Sequence, residues 1–276
     1  KETVLACIEE MMNRTEIAVR TTLDKIPDGT YYGEAATDDD GTELDVPVWV
    51  RCEITVKGDA LKVDFSKSDK QRKGFVNCVF ATTFSNALSA LFMFMDPNLG
   101  EYHNEGSMRP ITIYAPPGSV VNAQYPAPVG ASPVSMGHQI IESVVMAMSQ
   151  AMPERAIACW GKRYEHYFFG LDPRTNEKYV VTTFDIAGGA GAVRGFDGYE
   201  GAISIGALGE VNRGNVEEVE MRFPWRSIRS EFATDTCGAG RWRGASGFHW
   251  EVENVGGDAG MATGSSDGEV VRAPGA

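Results

Sequence analysis

The residues with most to offer chemically lie between Thr183 and Gly247. Phe184-Asp185-Ile186-Ala187-Gly188-Gly189-Ala190-Gly191-Ala192 opens this stretch and Phe196-Asp197-Gly198 sits in its middle. Thr234-Asp235-Thr236-Cys237-Gly238-Ala239-Gly240-Arg241-Trp242-Arg243-Gly244-Ala245-Ser246-Gly247 closes it, and Arg222, Arg226, Arg229, Arg241 and Arg243 gather towards that end. Glycine at such density costs backbone entropy, so it marks positive φ or a close approach of two backbones. Cationic side chains beside such turns can hold an anionic group. The same pattern also serves tight strand connections in a β-rich core, and the residue physics alone favours that second reading.

Elsewhere the chemistry is sparse. His103, His138, His166 and His249 are the only histidines. His138 and Glu142 stand four apart, so one helix face could turn both towards a metal; a surface or helix-start role is the plainer reading of so common a spacing. Cys237 could act as a nucleophile only with a base beside it and a lowered pKa, and an inert buried thiol is the simpler expectation. Thr37-Asp38-Asp39-Asp40-Gly41 lacks the alternating ligands and terminal glutamate of a calcium loop and reads as a solvated turn. The chain has no H-E-x-x-H, P-loop lysine motif, G-x-G-x-x-G or G-x-S-x-G. No self-sufficient catalytic set is visible, and no metal ligand is assigned.

The elements that must position these residues follow from periodicity. Residues 3–24 carry Val4, Leu5, Ile8, Met11, Met12, Val19 and Leu23 at helical spacings, ended by Pro27-Asp28-Gly29. Val46 to Val56 alternates in and out, Lys57-Gly58-Asp59 turns, and Leu61, Val63 and Phe65 return as the second arm of a hairpin. Residues 80–95 predict a buried helix, 99–110 a loop, and Ile111–Tyr114 and Val120–Asn122 short strands. Gly137–Met152 predicts the best helix, with Pro153 just beyond it. Ala156–Trp160, Tyr164–Phe169 and Tyr179–Phe184 read as strands, the last two joined by Asp172-Pro173-Arg174-Thr175-Asn176. After Asn254 the Gly-, Ser-, Asp- and Ala-rich composition predicts a weakly ordered tail. Helices and mainly antiparallel strands are interspersed, which makes the fold class α+β. The expected organisation is a mixed part over 1–160 and a β- and Gly-rich part over 161–276.

Composition narrows the function. Thirty-eight acidic against 25 basic residues give a net charge of −13, which disfavours a nucleic-acid surface or an anionic membrane as partner. No apolar run is long enough for a membrane span. The five cysteines are scattered with no paired spacing, as free thiols in a reducing, cytoplasmic setting would be. The chain starts without Met or a signal-peptide pattern, so a fragment or a processed product is expected.

One further pattern is collective. Ile26-Pro27-Asp28-Gly29-Thr30-Tyr31 is followed by Val63-Asp64-Phe65-Ser66, Gln71 and Gly74-Phe75-Val76-Asn77. Then come Asn104-Glu105-Gly106-Ser107-Met108-Arg109-Pro110-Ile111, Pro117-Gly118-Ser119-Val120-Val121-Asn122 and Pro126-Ala127-Pro128-Val129. Gly188–Ala192, Asp197-Gly198, Glu217, Glu220, Pro224 and Cys237–Gly244 complete the order. Over roughly residues 15 to 253 this series resembles the hydantoinase B/oxoprolinase family, in the later portion of its B-type subunit. That family embraces N-methylhydantoinases, 5-oxoprolinases and the acetone and acetophenone carboxylases.

The resemblance implies a subunit of an ATP-dependent cyclic-amide hydrolase or ketone carboxylase. It implies a hydantoinase A-type partner that binds ATP and Mg and phosphorylates a small-molecule substrate. It also implies an upstream half of the B-type subunit carrying a divalent metal, Zn or Mn; none of those metal motifs is matched here. Under this implied chemistry Asp185, Asp235, Arg241 and Arg243 are the candidate catalytic residues. Gly188, Gly189 and Gly191 are the candidate anion-binding turn, with Asp197 helping to order it. Arg213-Gly214-Asn215, Ser66-Lys67-Ser68 and Asp235-Thr236-Cys237-Gly238 depart from the usual family pattern, which brings a divergent ketone carboxylase into play. The alternative reading is a non-catalytic scaffold of such a complex.

Overall fold

A computed structural model describes the chain except residues 131, 163, 184–187, 203–204, 208–213, 267 and 276, and the side chains at 133, 134, 164, 165, 183, 207 and 262–266. The chain forms two compact units. The first comprises Lys1–Glu43 and Val48–Ala156, the second Leu44–Pro47 and Ile157–Ala276. Both mix helices with largely antiparallel strands, so the α+β expectation holds.

The first unit is built on a four-stranded sheet in the order β1 (Gly29–Thr37), β2 (Val48–Lys57), β3 (Ala60–Asp64), β4 (Ile111–Tyr114), antiparallel except for the last pair. Strand β2 alternates as its sequence predicts: Val48, Val50, Cys52, Ile54 and Val56 are all buried. Strand β1 was not legible in the sequence. Its inward face is written partly in small residues, Gly33, Ala35 and Thr37, without an apolar alternation.

Helix α1 spans Glu2–Leu23 and α2 spans Phe80–Phe92. Short helices α3 (Leu99–Tyr102) and α4 (Ser132–Ser135) precede α5 (Gly137–Ala151). Twelve of the fifteen α5 residues are buried, and the helix packs on β1, β2 and α2. Gly33 is required for this packing, because a Cβ there would overlap the Ser143 carbonyl oxygen and crowd the Ala147 amide. The Cys52 thiol meets the same Ser143 oxygen at 3.2 Å. The surface reading of His138 and Glu142 is overturned, since both are buried on α5. Residues 120–121 form a turn closed by a bridge between Ser119 and Asn122, where a strand was expected.

In the second unit β5 (Tyr164–Asp172) lies between β6 (Glu177–Thr183) and β9 (Ala259–Ser266), both antiparallel to it. Strands β7 (Trp225–Phe232) and β8 (Phe248–Asn254) form a hairpin-like pair, preceded by helix α6 (Val216–Arg222). An aromatic core joins the two sheets. The Phe168 ring lies 4.4 Å from Trp225 and 5.6 Å from Trp250, and His166 stacks on Trp250 at 6.1 Å. Trp225 Nε1 donates to Tyr179 Oη at 2.9 Å. The expected weakly ordered tail is corrected in part: residues 259–266 are an edge strand, because backbone pairing with β5 needs little from their small side chains. Residues 156–160 bridge to 192–193 without forming a strand.

Candidate functional site

The second unit gathers three segments of the glycine-dense stretch into one knot. Residues 188–192 run between residues 158–162 and the segments 198–199 and 245. Ala158 N donates to Ala192 O, Gly161 N to Gly189 O, and Gly188 N to Lys162 O on one side. Ala190 N donates to Tyr199 O, and Ala245 N to Ala190 O, on the other. Side chains have no room here. A Cβ on Gly188 would run into Gly161, one on Gly189 into the Ala245 Cβ, and one on Gly191 into the Ala158 carbonyl oxygen. The run therefore has a packing reason for its glycines, and two of its N–H groups, at 188 and 190, are already given to carbonyls. An anion cradle needs such N–H groups aimed at the ligand.

Two carboxylates lace the remaining segments together. Asp197 accepts from the Arg243 backbone N–H at 2.8 Å and pairs with the Arg243 guanidinium at 3.4 Å, while Gly198 N donates to Arg243 O at 2.7 Å. Three residues on, Glu200 accepts from Ser246 N at 3.0 Å and from Ser246 Oγ at 2.9 Å. Both contacts join residues 46 apart, so the segments 197–200 and 243–246 meet in register. Sequence reasoning missed Glu200 and Ser246. The constant offset becomes a signal only once Asp197 and Arg243 are known to meet.

The other predicted site residues lie around this knot or outside the description. Arg241 is exposed, its guanidinium 4.9 Å from the centre of the Trp242 ring. Asp235 takes the left-handed turn conformation at φ 55°, in a turn fixed by Thr236 Oγ1 donating to Ala233 O and accepting from Gly247 N. Asp185 lies outside the described residues. Cys237 Sγ is 3.2 Å from Ser246 Oγ. The thiol thus meets a hydroxyl that is itself held by Glu200, and a hydroxyl is no base for making a thiolate. What the knot offers chemically is two exposed guanidinium groups: Arg243, whose backbone is tied to Asp197 and Gly198, and Arg241 two residues before it.

In the first unit the remaining motifs build and brace the scaffold. Asn104 donates to Thr15 Oγ1 at 2.8 Å, and Arg109 reaches Glu9, Asn13 and Glu16 at 2.8–3.1 Å. A Cβ on Gly106 would strike the Met12 carbonyl oxygen. The Asn-Glu-Gly-Ser-Met-Arg segment is therefore the clasp that holds α1. Fully buried Asn77 donates to Arg72 O, Gly74 O and Pro128 O and accepts from Arg72 N. The aspartates of 38–40 are not a solvated turn: Asp38 and Asp40 are buried. Burial pushes the Asp40 pKa up. Donation from Thr42 Oγ1 and from the backbone N–H groups of Thr42, Glu43 and Gly74 outweighs this and brings it down to about 2. Burial drives the Cys52 and Cys78 thiols up to about 12, so neither is a nucleophile. Among the described residues no three His, Cys, Asp or Glu side chains come together as a metal would require, and no helix is long and apolar enough to cross a membrane.

Comparison with known proteins places this architecture. The model of the hydantoinase B/oxoprolinase family matches residues 1–276. The chain is 31% identical over 253 residues to the beta subunit of the caprolactamase of Pseudomonas jessenii, covering 91% of this chain and 43% of that protein. It is 31% identical over 264 residues to the B subunit of a putative D-/L-hydantoinase from a Pseudomonas species, with the same coverage. The solved structure of the ATP-dependent caprolactamase from P. jessenii superposes with a TM-score of 0.74 at 28% identity, over 91% of this chain and 43% of that one. The nucleotide-free acetone carboxylase structure gives a TM-score of 0.78 at 18% identity, over 93% of this chain and 36% of that one, which is a likeness of fold. The chain thus spans less than half the length of the curated B-type relatives it matches. By the family match along all of its residues, the chain belongs to the hydantoinase B/oxoprolinase family.

Proposed function

We propose that the chain is part of the B-type subunit of an ATP-dependent cyclic-amide hydrolase of the hydantoinase/oxoprolinase kind, or of a ketone carboxylase. The observation that carries this is the family match over residues 1–276, supported by 31% identity to one subunit of a caprolactamase. ATP and Mg belong to an A-type partner. A divalent metal belongs to the upstream half of a B-type subunit; among the described residues no three His, Cys, Asp or Glu side chains gather as ligands. A carbonyl-derived oxygen activated by phosphorylation must be kept from bulk water until its next step. Fixed cations beside it would stabilise the phosphate or the developing oxyanion. Arg241 and Arg243 are the residues assigned to that task, with the Gly188–Gly191 run and Asp197 holding the 243–245 backbone in place.

A second reading, a non-catalytic scaffold, is favoured by one observation: the glycine run gives N–H groups to carbonyls on both of its sides. The deciding experiment purifies the protein with its partners from its source. ADP release is then followed with lactams, hydantoins, 5-oxoproline, and ketones plus bicarbonate. Release stimulated by one of these substrate classes is expected. An intact assembly that consumes ATP with none of them overturns the proposal.

A further inference from the structure

Helix α1 is two different helices end to end. Its second half is a core element: Thr15, Val19 and Leu23 are buried, and Arg109, Asn104 and Gly106 clasp the middle turns. Its first two turns have no such cover, Arg109 reaches back only as far as Glu9, and every residue from Lys1 to Met11 is exposed. Yet the apolar stripe does not stop where burial stops. At 3.6 residues per turn, Val4, Ile8 and Met11 prolong the line of Thr15 and Val19 towards the start of the helix, with Leu5 beside them. These four side chains are 60%, 47%, 61% and 56% exposed in that order. A scattered apolar residue on a surface needs no cause, but a stripe that continues the core face of the same helix does.

We infer that this open face of α1 is the seat of another segment of a longer B-type polypeptide. The inference rests on the B-type reading above. Two facts choose this occupant over a second copy of the chain. Four half-exposed side chains offer on the order of 400 Å², about half of the ~800 Å² per partner that an independent dimer needs. That area suits intrachain packing, where the cost of bringing two molecules together does not arise. Second, these residues cover only 43% of the caprolactamase and hydantoinase subunits compared above, so those relatives hold more than enough chain to supply the cover.

The test is hydroxyl-radical footprinting of the native assembly purified from its source, read by mass spectrometry. Met11 and Ile17 are matched probes, 61% and 63% exposed, and they lie about 120° apart around α1, with Ile17 turned away from the Thr15–Val19 line. With each residue normalised to its rate in the denatured protein, Met11 is expected to react several-fold more slowly than Ile17. Cross-linking from Lys1 should then capture a segment of the same polypeptide. Ile8→Asp should restore Met11 reactivity while leaving Ile17 unchanged. Equal rates at Met11 and Ile17 overturn the inference. So does a cross-link to a second copy of the same segment, or to a different polypeptide. Substrate-dependent ADP release is scored separately, so failure of the footprint and failure of the enzymatic reading are told apart.

Discussion

At the scale of single residues the candidate site separates side-chain chemistry from backbone architecture. Arg243 contributes both, but through different atoms. Its N–H and C=O tie the turn to Asp197 and Gly198, and its guanidinium makes only an exposed ion pair. Arg243→Ala keeps the backbone ties and loses a pair worth less than about 1 kcal/mol. The expected outcome is an unchanged melting temperature and an intact assembly with substrate-dependent ADP release reduced at least about tenfold, as loss of one preorganised oxyanion partner costs. Unchanged turnover would instead assign the arginine to the scaffold reading. Asp197→Ala should act in the opposite way. It strips the acceptor from the Arg243 backbone N–H, so thermal stability is expected to fall, by about 1 kcal/mol. Gly106→Ala places a methyl group against the Met12 carbonyl and is expected to cost about 1–3 kcal/mol by denaturant titration. Asp197 and Arg243 were singled out from the sequence, though not as a pair. The second pair, Glu200 and Ser246, was not singled out, because a contact across 46 residues leaves no local trace.

At the scale of elements, legibility followed the size of the side chains that record burial. Helix α5 and strand β2 bury Val, Ile, Met and Cys at their own periods, and both were read from the sequence close to their observed bounds. Strand β1 buries Ala35, Ala36 and Thr37 and exposes Tyr32, so its pairing with β2 is invisible to an apolar pattern. Strand β9 fails for the same reason: Ala259, Gly260, Ala262 and Thr263 pair through their backbone and look like a linker. The union of β1 with α5 has one vulnerable point. Gly33→Ala must push α5 away from the sheet at Ser143 and Ala147. The expected loss is at least about 1–3 kcal/mol, with the Cys52 thiol becoming reactive towards a maleimide as its contact with Ser143 O opens. A Gly33→Ala protein with wild-type stability and a silent Cys52 would show that this close approach is dispensable.

Across the whole molecule the two units carry titrating groups of opposite kind, and their pH responses should separate. In the second unit burial among Phe168 and Trp250 holds the His166 imidazole below its ordinary value of 6.5. The unfolded chain takes up that proton first, so the contribution of neutral His166 is complete above pH 6.5. It declines as pH drops through 6.5 towards the lower folded value. In the first unit Asp40 stays ionised down to about 2 against 3.8 in the unfolded chain. Its contribution is complete above pH 3.8 and disappears as pH falls towards 2. Tryptophan reports mainly on the second unit, which contains Trp160, Trp225, Trp242 and Trp250, against Trp49 in the first. Thermal unfolding followed by tryptophan emission should therefore shift to lower temperature as pH falls below 6.5, before the first unit responds. His166→Gln should flatten that dependence whatever it does to stability at neutral pH, because no proton is then taken up at this position on unfolding. Asp40→Asn should leave the neutral-side response intact and remove the acid-side one. A wild-type melting curve flat between about pH 7 and 5 would mean that His166 is as easily protonated folded as unfolded, and that the aromatic core joining β5 to β7 and β8 admits water and charge.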